Sequence, residues 1–340
     1  MPYVFAIFYV LVAGVINGSF ALPTKNVKHW SFENIWLSYS FWAFLLLPWI
    51  FLFIIDESAF HFYATIPSYE LFIIFIGGIA FGIGMVCFAV ALDKIGLALG
   101  FLLNIGISTG LGFCLPLIFL HTQEVFTPFG LFTFIGTILI LCGLLVGFKA
   151  GKIRDTEIIH DHSAKKQNKY YLGVLLATIA GFASAGENFT FAATTNLQHM
   201  ALADGISALA AANIIWPLFL TFTLIPYAVY MLFLHRKNAS FVNYRHSSST
   251  KYSFAAFTMA IFWYGSLILY SKASLVIGTL GPIVGWPLFM VCIILTSNYW
   301  GWHHKEWSQC PIRAKRLAAR SVVLLIFAVL VLGFSITLSH

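Results

Sequence analysis

The stretch from Tyr171 to Ala193 reads YLGVLLATIAGFASAGENFTFAA. Every residue in it except Glu187 is apolar, small or uncharged. About 20 such residues in one run cross the hydrocarbon of a bilayer as a helix. The run is continuous rather than alternating, which is the pattern of a helix and not of a barrel strand. Glu187 interrupts it. An ionisable group at that depth costs several kcal/mol unless it is paired, hydrated or protonated. The stretch therefore decides the class, a helical membrane protein, and also asks what the carboxylate is for.

The rest of the chain agrees. Of 340 residues, 60% are hydrophobic and 9% charged, and the mean hydropathy is +0.89. A soluble domain carries about 25% charge. We read an all-α polytopic membrane protein whose partner is the lipid bilayer. The net charge of +7 does not speak for nucleic acid, because membrane proteins gather Lys and Arg in cytoplasmic loops. The five cysteines show no C-x-x-C spacing and read as small buried side chains. The first apolar run has no basic segment before it and no A-x-A site after it, so it is expected to be a retained span.

Ten apolar runs are legible: about 3–23, 35–55, 71–92, 97–120, 128–148, 171–193, 206–234, 253–272, 279–300 and 319–338. The two longest connections are 149–170 and 235–252. Basic residues settle the orientation. Lys25, Lys28, Lys94, Lys149, Lys152, Arg154, Lys165, Lys166 and Lys169 fall in alternate loops, as do Arg236, Lys237, Arg245, Lys251, Lys305, Arg313, Lys315, Arg316 and Arg320. Of 19 Lys and Arg, only Lys272 falls on the opposite side. The positive-inside rule makes the basic side cytoplasmic and puts both termini outside.

The loop 149–170 divides the chain into 1–148 and 171–340, each with five runs. Five is odd, so a duplicated half re-enters the membrane inverted. Weak self-similarity supports two inverted five-helix repeats. Ala13-Gly14 matches Ala180-Gly181, and Gly96 and Gly278 open runs four and nine. His121-Thr-Gln-Glu124 and His303-His-Lys-Glu306 follow those runs at the same spacing. Gly96, Gly100, Asn104, Ser108 and Gly112 recur every four residues, a spacing that lets helices approach closely in lipid. Pro116, Pro217, Pro226, Pro282 and Pro287 are expected to kink their spans.

Ser184, Glu187 and Thr194 share one stripe of run six, with Asn188 beside it. Glu187 stands roughly 6 Å from the midplane on the outer side. Such a carboxyl, facing a cavity, can take a proton from one side and release it to the other. Asn17 and Asn104 lie in runs one and four, Trp263-Tyr264 in run eight and Trp286 in run nine. A lone Asn in a span is ordinarily an interhelical hydrogen bond. These three aromatics sit too deep for the interface belt. Aromatic faces can stack on a sugar ring while amides satisfy its hydroxyls. No metal is expected: His160-Asp161-His162 and His303-His304 lack a third ligand cluster and read as solvated loop. No cofactor is expected. No phosphate-binding loop or H-E-x-x-H occurs, so the chain is read as no enzyme and no ATP-driven pump.

Three stretches then carry a resemblance. The first is Pro23-Thr-Lys25-Asn-Val-Lys28-His-Trp30-Ser-Phe-Glu33-Asn-Ile-Trp36, running on to Leu47-Pro48-Trp49. The second is Gly181-Phe-Ala-Ser184-Ala-Gly186. The third is Trp286-x-Leu288-x-Met290, then Gly301, then Lys305-Glu306-Trp307. With them the chain resembles the L-rhamnose–proton symporter family of the drug/metabolite transporter superfamily, over nearly its whole length. The resemblance implies an inner-membrane importer of a monosaccharide, driven by protons through alternating access between inverted halves. Two positions depart from the pattern expected of that family: Thr279 to Gly285 is apolar, and Glu187 stands where an apolar residue is expected. The expected site has Asn17, Asn104, Asn188, Trp263, Tyr264 and Trp286 on the sugar and Glu187 on the proton. The competing expectation is an exporter of metabolites or lipophilic cations from the same superfamily.

Overall fold

The computed structural model describes residues 2–158, 167–305, 307–308 and 310–338. Among these no strand occurs. Ten helices are long and apolar enough to cross a membrane. They are α1 (Tyr3–Asn26), α2 (Phe32–Ile55), α3 (Ser68–Gly96), α4 (Leu99–Leu120) and α5 (Pro128–Ile153), then α6 (Tyr170–Ala203), α7 (Ala208–Asn238), α8 (Ser249–Ile277), α9 (Gly281–His303) and α10 (Ile312–Ile336). The protein is a multi-pass membrane protein with the ten spans that hydropathy predicts.

The two long loops are shorter than hydropathy implies. The helix of α5 runs on to Ile158, and the helix of α6 starts at Gln167. A 3-10 turn over Ser240–Arg245 fills most of the connection between α7 and α8. Hydropathy marks where a chain leaves the hydrocarbon, whereas helical hydrogen bonding continues into water on charged side chains. The His160-Asp161-His162 segment lies outside the described residues.

Two glycines set the tight joins. Gly96, between α3 and α4, has φ 77 and ψ 168. Gly278, between α8 and α9, has φ 94 and ψ −154. This region is open essentially to glycine alone. No atom lies within 4 Å of a Cβ built at either position, so conformation and not space demands glycine there.

The other notable glycines serve close approach. A Cβ on Gly14 would lie 2.2 Å from Cys292 of α9, and one on Gly181 would lie 2.7 Å from Ile107 of α4. One on Gly84 would lie 2.2 Å from Ala183. α6 accordingly packs into the α3–α4 hairpin, α1 packs on α8 and α9, and α5 pairs with α10. α2 runs beside α7 and α8. Phe5, Phe53, Ile54, Phe72, Val229 and Phe254 face outward and exposed, the inverse of a soluble surface.

α2 and α7 are clasped at both ends. At the basic end Tyr244 Oη donates to Asn34 O at 3.1 Å, and Asn34 Nδ2 donates to Ser240 O at 3.0 Å. At the other end Tyr63 Oη donates to Ile214 O at 2.8 Å, and the Ser207 N–H donates to Asp56 Oδ2 at 2.7 Å. Within α2 a wide π turn over Trp42–Leu46 precedes Pro48, which has no N–H to continue the ordinary ladder.

Candidate functional site

The centre of the site begins with a proline. Pro116 lies inside α4 and has no N–H. The Gly112 carbonyl, one turn earlier, therefore lacks its helical donor. Asn188 on α6 supplies one: its Nδ2 donates to Gly112 O at 2.9 Å and to Pro282 O at 2.9 Å. Its Oδ1 accepts from Tyr270 Oη at 2.5 Å. One fully buried amide thus joins α4, α6, α8 and α9.

Aromatic rings pack around this hub. Trp286 lies over Gly112, where a Cβ would sit 2.5 Å from the indole, and its Nε1 donates to Ser108 O at 3.1 Å. Tyr270 stacks on Phe289 at 5.3 Å and meets Trp286 edge-on at 5.8 Å. Phe191 stacks on Trp216 at 5.3 Å, and Trp216 Nε1 donates to Ser271 Oγ at 2.6 Å. Ser108 and Thr109 place buried hydroxyls here with no hydrogen-bond partner among the described residues.

Glu187 lies one residue before the hub and is 4% exposed. Among the described residues no ion pair or hydrogen bond reaches its carboxyl, and burial alone acts on it. Tyr39 of α2 and Tyr270 of α8 are within its electrostatic reach. A second carboxylate, Glu33, is 2% exposed at the basic end of α2. There Asn238 Nδ2 donates to its Oε1 at 3.0 Å. The contrast separates a carboxylate held by the fold from one left unpartnered.

The remaining expected residues divide between two sides. Asn104 Oδ1 accepts from Ser184 Oγ at 3.4 Å, on the same α4–α6 seam. Asn17 Nδ2 donates to Ser266 Oγ at 2.8 Å, tying α1 to α8. Trp263 is half-buried against Phe44 at 5.2 Å and Tyr39 at 6.3 Å. Its neighbour Tyr264 points elsewhere, against Phe51 at 6.0 Å, with a buried hydroxyl that has no partner among the described residues. Adjacent helical residues diverge by about 100°, so the pair cannot offer one face. The structure brings together Asn188, Trp286, Asn104 and Glu187, connects Trp263 to them through Tyr39, and holds Tyr264 apart.

Tyr39 and Tyr270 were not legible as site residues. The signal was present for Tyr270: Trp263, Ser266, Tyr270 and Ser274 fall at i, i+3, i+7 and i+11 on α8, a polar stripe at helical spacing. Nothing comparable marks Tyr39.

Comparison with known proteins agrees in extent with this architecture. The family model described as L-rhamnose-proton symport protein matches residues 2–338. An L-rhamnose-proton symporter of Klebsiella pneumoniae is 25% identical over 353 aligned positions, covering 96% of each chain. One from Pectobacterium atrosepticum is 24% identical and covers 98% of each. One from Yersinia pestis is 27% identical over 214 positions, covering 62% of this chain and 61% of the relative. With a match from α1 to the end of α10, the chain belongs to the L-rhamnose-proton symport protein family, a family of transporters and not of enzymes.

Proposed function

We propose that this protein imports a monosaccharide, L-rhamnose or a related sugar, together with protons, by alternating access across the cell membrane. The observation that carries the reading within a symporter family is Glu187: a buried carboxyl with no partner, beside a polar and aromatic hub that joins four helices. A carboxyl in such a place can exist neutral in a closed site and ionise when the site opens to water.

Asn17, Asn104 and Asn188 would turn their amides to sugar hydroxyls, with Trp286 and Trp263 supplying ring faces. In the arrangement described, Asn17, Asn188 and Trp286 bond to protein instead. A sugar hydroxyl that replaces one of these internal partners leaves the number of satisfied groups unchanged, which keeps the closed and open states close in energy. Tyr264 is the weakest of the candidates, because it packs on Phe51 and not on Tyr39 or the residues around Asn188.

The motion would be a rocking of two inverted halves, 1–148 and 171–340, on either side of the segment 149–170. Several pairs support this division. Gly96 and Gly278 share a rare backbone conformation and the same sequence separation as Ile107 and Phe289. Gly14 abuts Phe289 O, and Gly181 abuts Ile107. The clasps Tyr63 to Ile214 and Tyr244 to Asn34 exchange roles between the two ends in the same way. With the basic loops cytoplasmic, both termini face outward, and the bilayer is the inner membrane in a Gram-negative cell.

The test is uptake of labelled L-rhamnose into proteoliposomes under an imposed proton gradient. Accumulation is expected, and E187Q is expected to keep counterflow exchange while losing gradient-driven accumulation. Unchanged accumulation in E187Q removes Glu187 as the coupling group. Failure of the native protein to take up any monosaccharide, with efflux of dyes or metabolites instead, overturns the importer.

A further inference from the structure

Glu187 is far from the water on the basic side. Contacts along α3 measure how far. Gly77 abuts Thr190 of α6, and Gly84 abuts Ala183, so Glu187 is level with Ala80. Gly173, near the start of α6, abuts Lys94 at the basic end of α3. From Ala80 to Asp93 the helix descends about 20 Å. A proton does not cross that length of apolar core without polar groups to hold it.

α7 runs parallel to α3 over the same depth. Gly78 abuts Phe219, and Gly82 abuts Thr223 and Pro226. Thr223 Oγ1 also donates to Gly78 O at 3.1 Å. One turn further in this register, Tyr227 and Tyr230 come level with Val86, below Glu187 and above Asp93. The two tyrosines are at i and i+3, so they share one side of α7. Tyr227 packs on Phe44 of α2 at 5.8 Å, and Phe44 packs on Tyr39 at 5.7 Å.

The titratable groups follow one another in space. Tyr39 is within electrostatic reach of both Glu187 and Tyr227. Tyr227 is within reach of Tyr230, and Tyr230 of Asp93. Exposure rises in the same order. Glu187, Tyr39 and Tyr227 are buried, Tyr230 is half-buried and Asp93 is exposed. Glu33 and His235 are also buried toward this end, but Asn238 and Ser240 engage them in the clasp between α2 and α7.

Given Glu187 as the coupling group, the reading on which this rests, we propose that Tyr39, Tyr227 and Tyr230 relay its proton to Asp93 and so to water on the basic side. A phenol hydroxyl both donates and accepts a hydrogen bond. Each hydroxyl takes a proton on its oxygen and gives up its own, with water bridging where two hydroxyls do not touch. One O–H bond breaks at Glu187 and one forms at Asp93, which then ionises to water. Every tyrosine ends as it began, and one positive charge has moved. A phenol is neutral at physiological pH, so such a path adds no buried charge to the spans.

The test uses the full-length protein in proteoliposomes with labelled L-rhamnose and a trapped pH dye. Y227F and Y230F keep the ring and remove only the hydroxyl. Both are expected to retain counterflow exchange, during which the carrier stays protonated. Both are expected to slow gradient-driven uptake and the accompanying proton entry about tenfold, and D93N to slow them less. Y252F, a buried tyrosine against Trp30 and off the path, is expected to match the native protein in both assays. Loss of coupling in E187Q with native proton entry in Y227F and Y230F overturns the relay and leaves Glu187 standing. Equal slowing of counterflow and gradient-driven uptake, or equal slowing in Y252F, marks a structural effect and also overturns the relay. Accumulation retained by E187Q overturns both the relay and the role of Glu187.

Discussion

Replacing Asn188 with leucine keeps a similar side-chain volume and removes three hydrogen bonds at once. The Tyr270 hydroxyl and the Gly112 carbonyl lose the partner they now share. Pro282 O loses a second donor. Interhelical hydrogen bonds in membrane proteins average about 0.6 kcal/mol and reach about 1.7. An orphaned buried group costs about 1–3 kcal/mol. The sum for two orphans and one weakened acceptor is about 2–6 kcal/mol. Reversible unfolding in mixed micelles, followed by tryptophan fluorescence, would measure it.

The reasoning has an internal check. If Pro116 is what leaves Gly112 without a donor, then P116A gives that carbonyl a helical partner. P116A is therefore expected to recover about 0.5–1.5 kcal/mol in the N188L background and much less in the native one. Non-additivity of this sign is the mark of a shared acceptor. A cost below about 0.5 kcal/mol for N188L, or equal effects of P116A in both backgrounds, would refute the account of the hub.

Two further predictions concern the frame around it. G96A and G278A are each expected to destabilise by about 1–2 kcal/mol, because an L side chain is strained at positive φ. G186A and G265A, where a Cβ meets nothing within 4 Å, are expected to be near neutral; equal effects in both pairs would reject conformational demand. The Asp56 carboxyl is held below its usual range by the Ser207 N–H and by Ser58. Its stabilising contribution is complete above the unfolded value of about 3.9 and is lost as pH falls through the lower folded value. D56N is thus expected to flatten the acid limb of the melting curve below about pH 4, and an unchanged limb would show that the clasp at Asp56 does not depend on this charge.

The number of spans and the anomaly of Glu187 were both legible without coordinates. Each depends on a property of single segments: length, hydropathy and flanking charge. The membrane reads these one helix at a time. Glu33 shows the edge of that legibility. It lies at the margin of a run, so nothing marked it as buried, yet Asn238 from α7 covers it.

What tertiary structure decided is which faces meet. In water an apolar stripe marks the buried side of a helix, but in a bilayer the lipid side is as apolar as the interior. Phe53 and Leu52 are neighbours of one character, yet one is 61% exposed and the other fully buried. Periodicity therefore could not separate Trp263 from Tyr264, or reveal Tyr39. The role of Asn188 is also a tertiary fact. Pro116 predicts an orphan carbonyl on α4, but only packing α6 into the α3–α4 hairpin brings an amide to it. The carboxylate at 187 was visible from the start. That it stands unpartnered beside that amide, while Glu33 does not, follows from geometry alone.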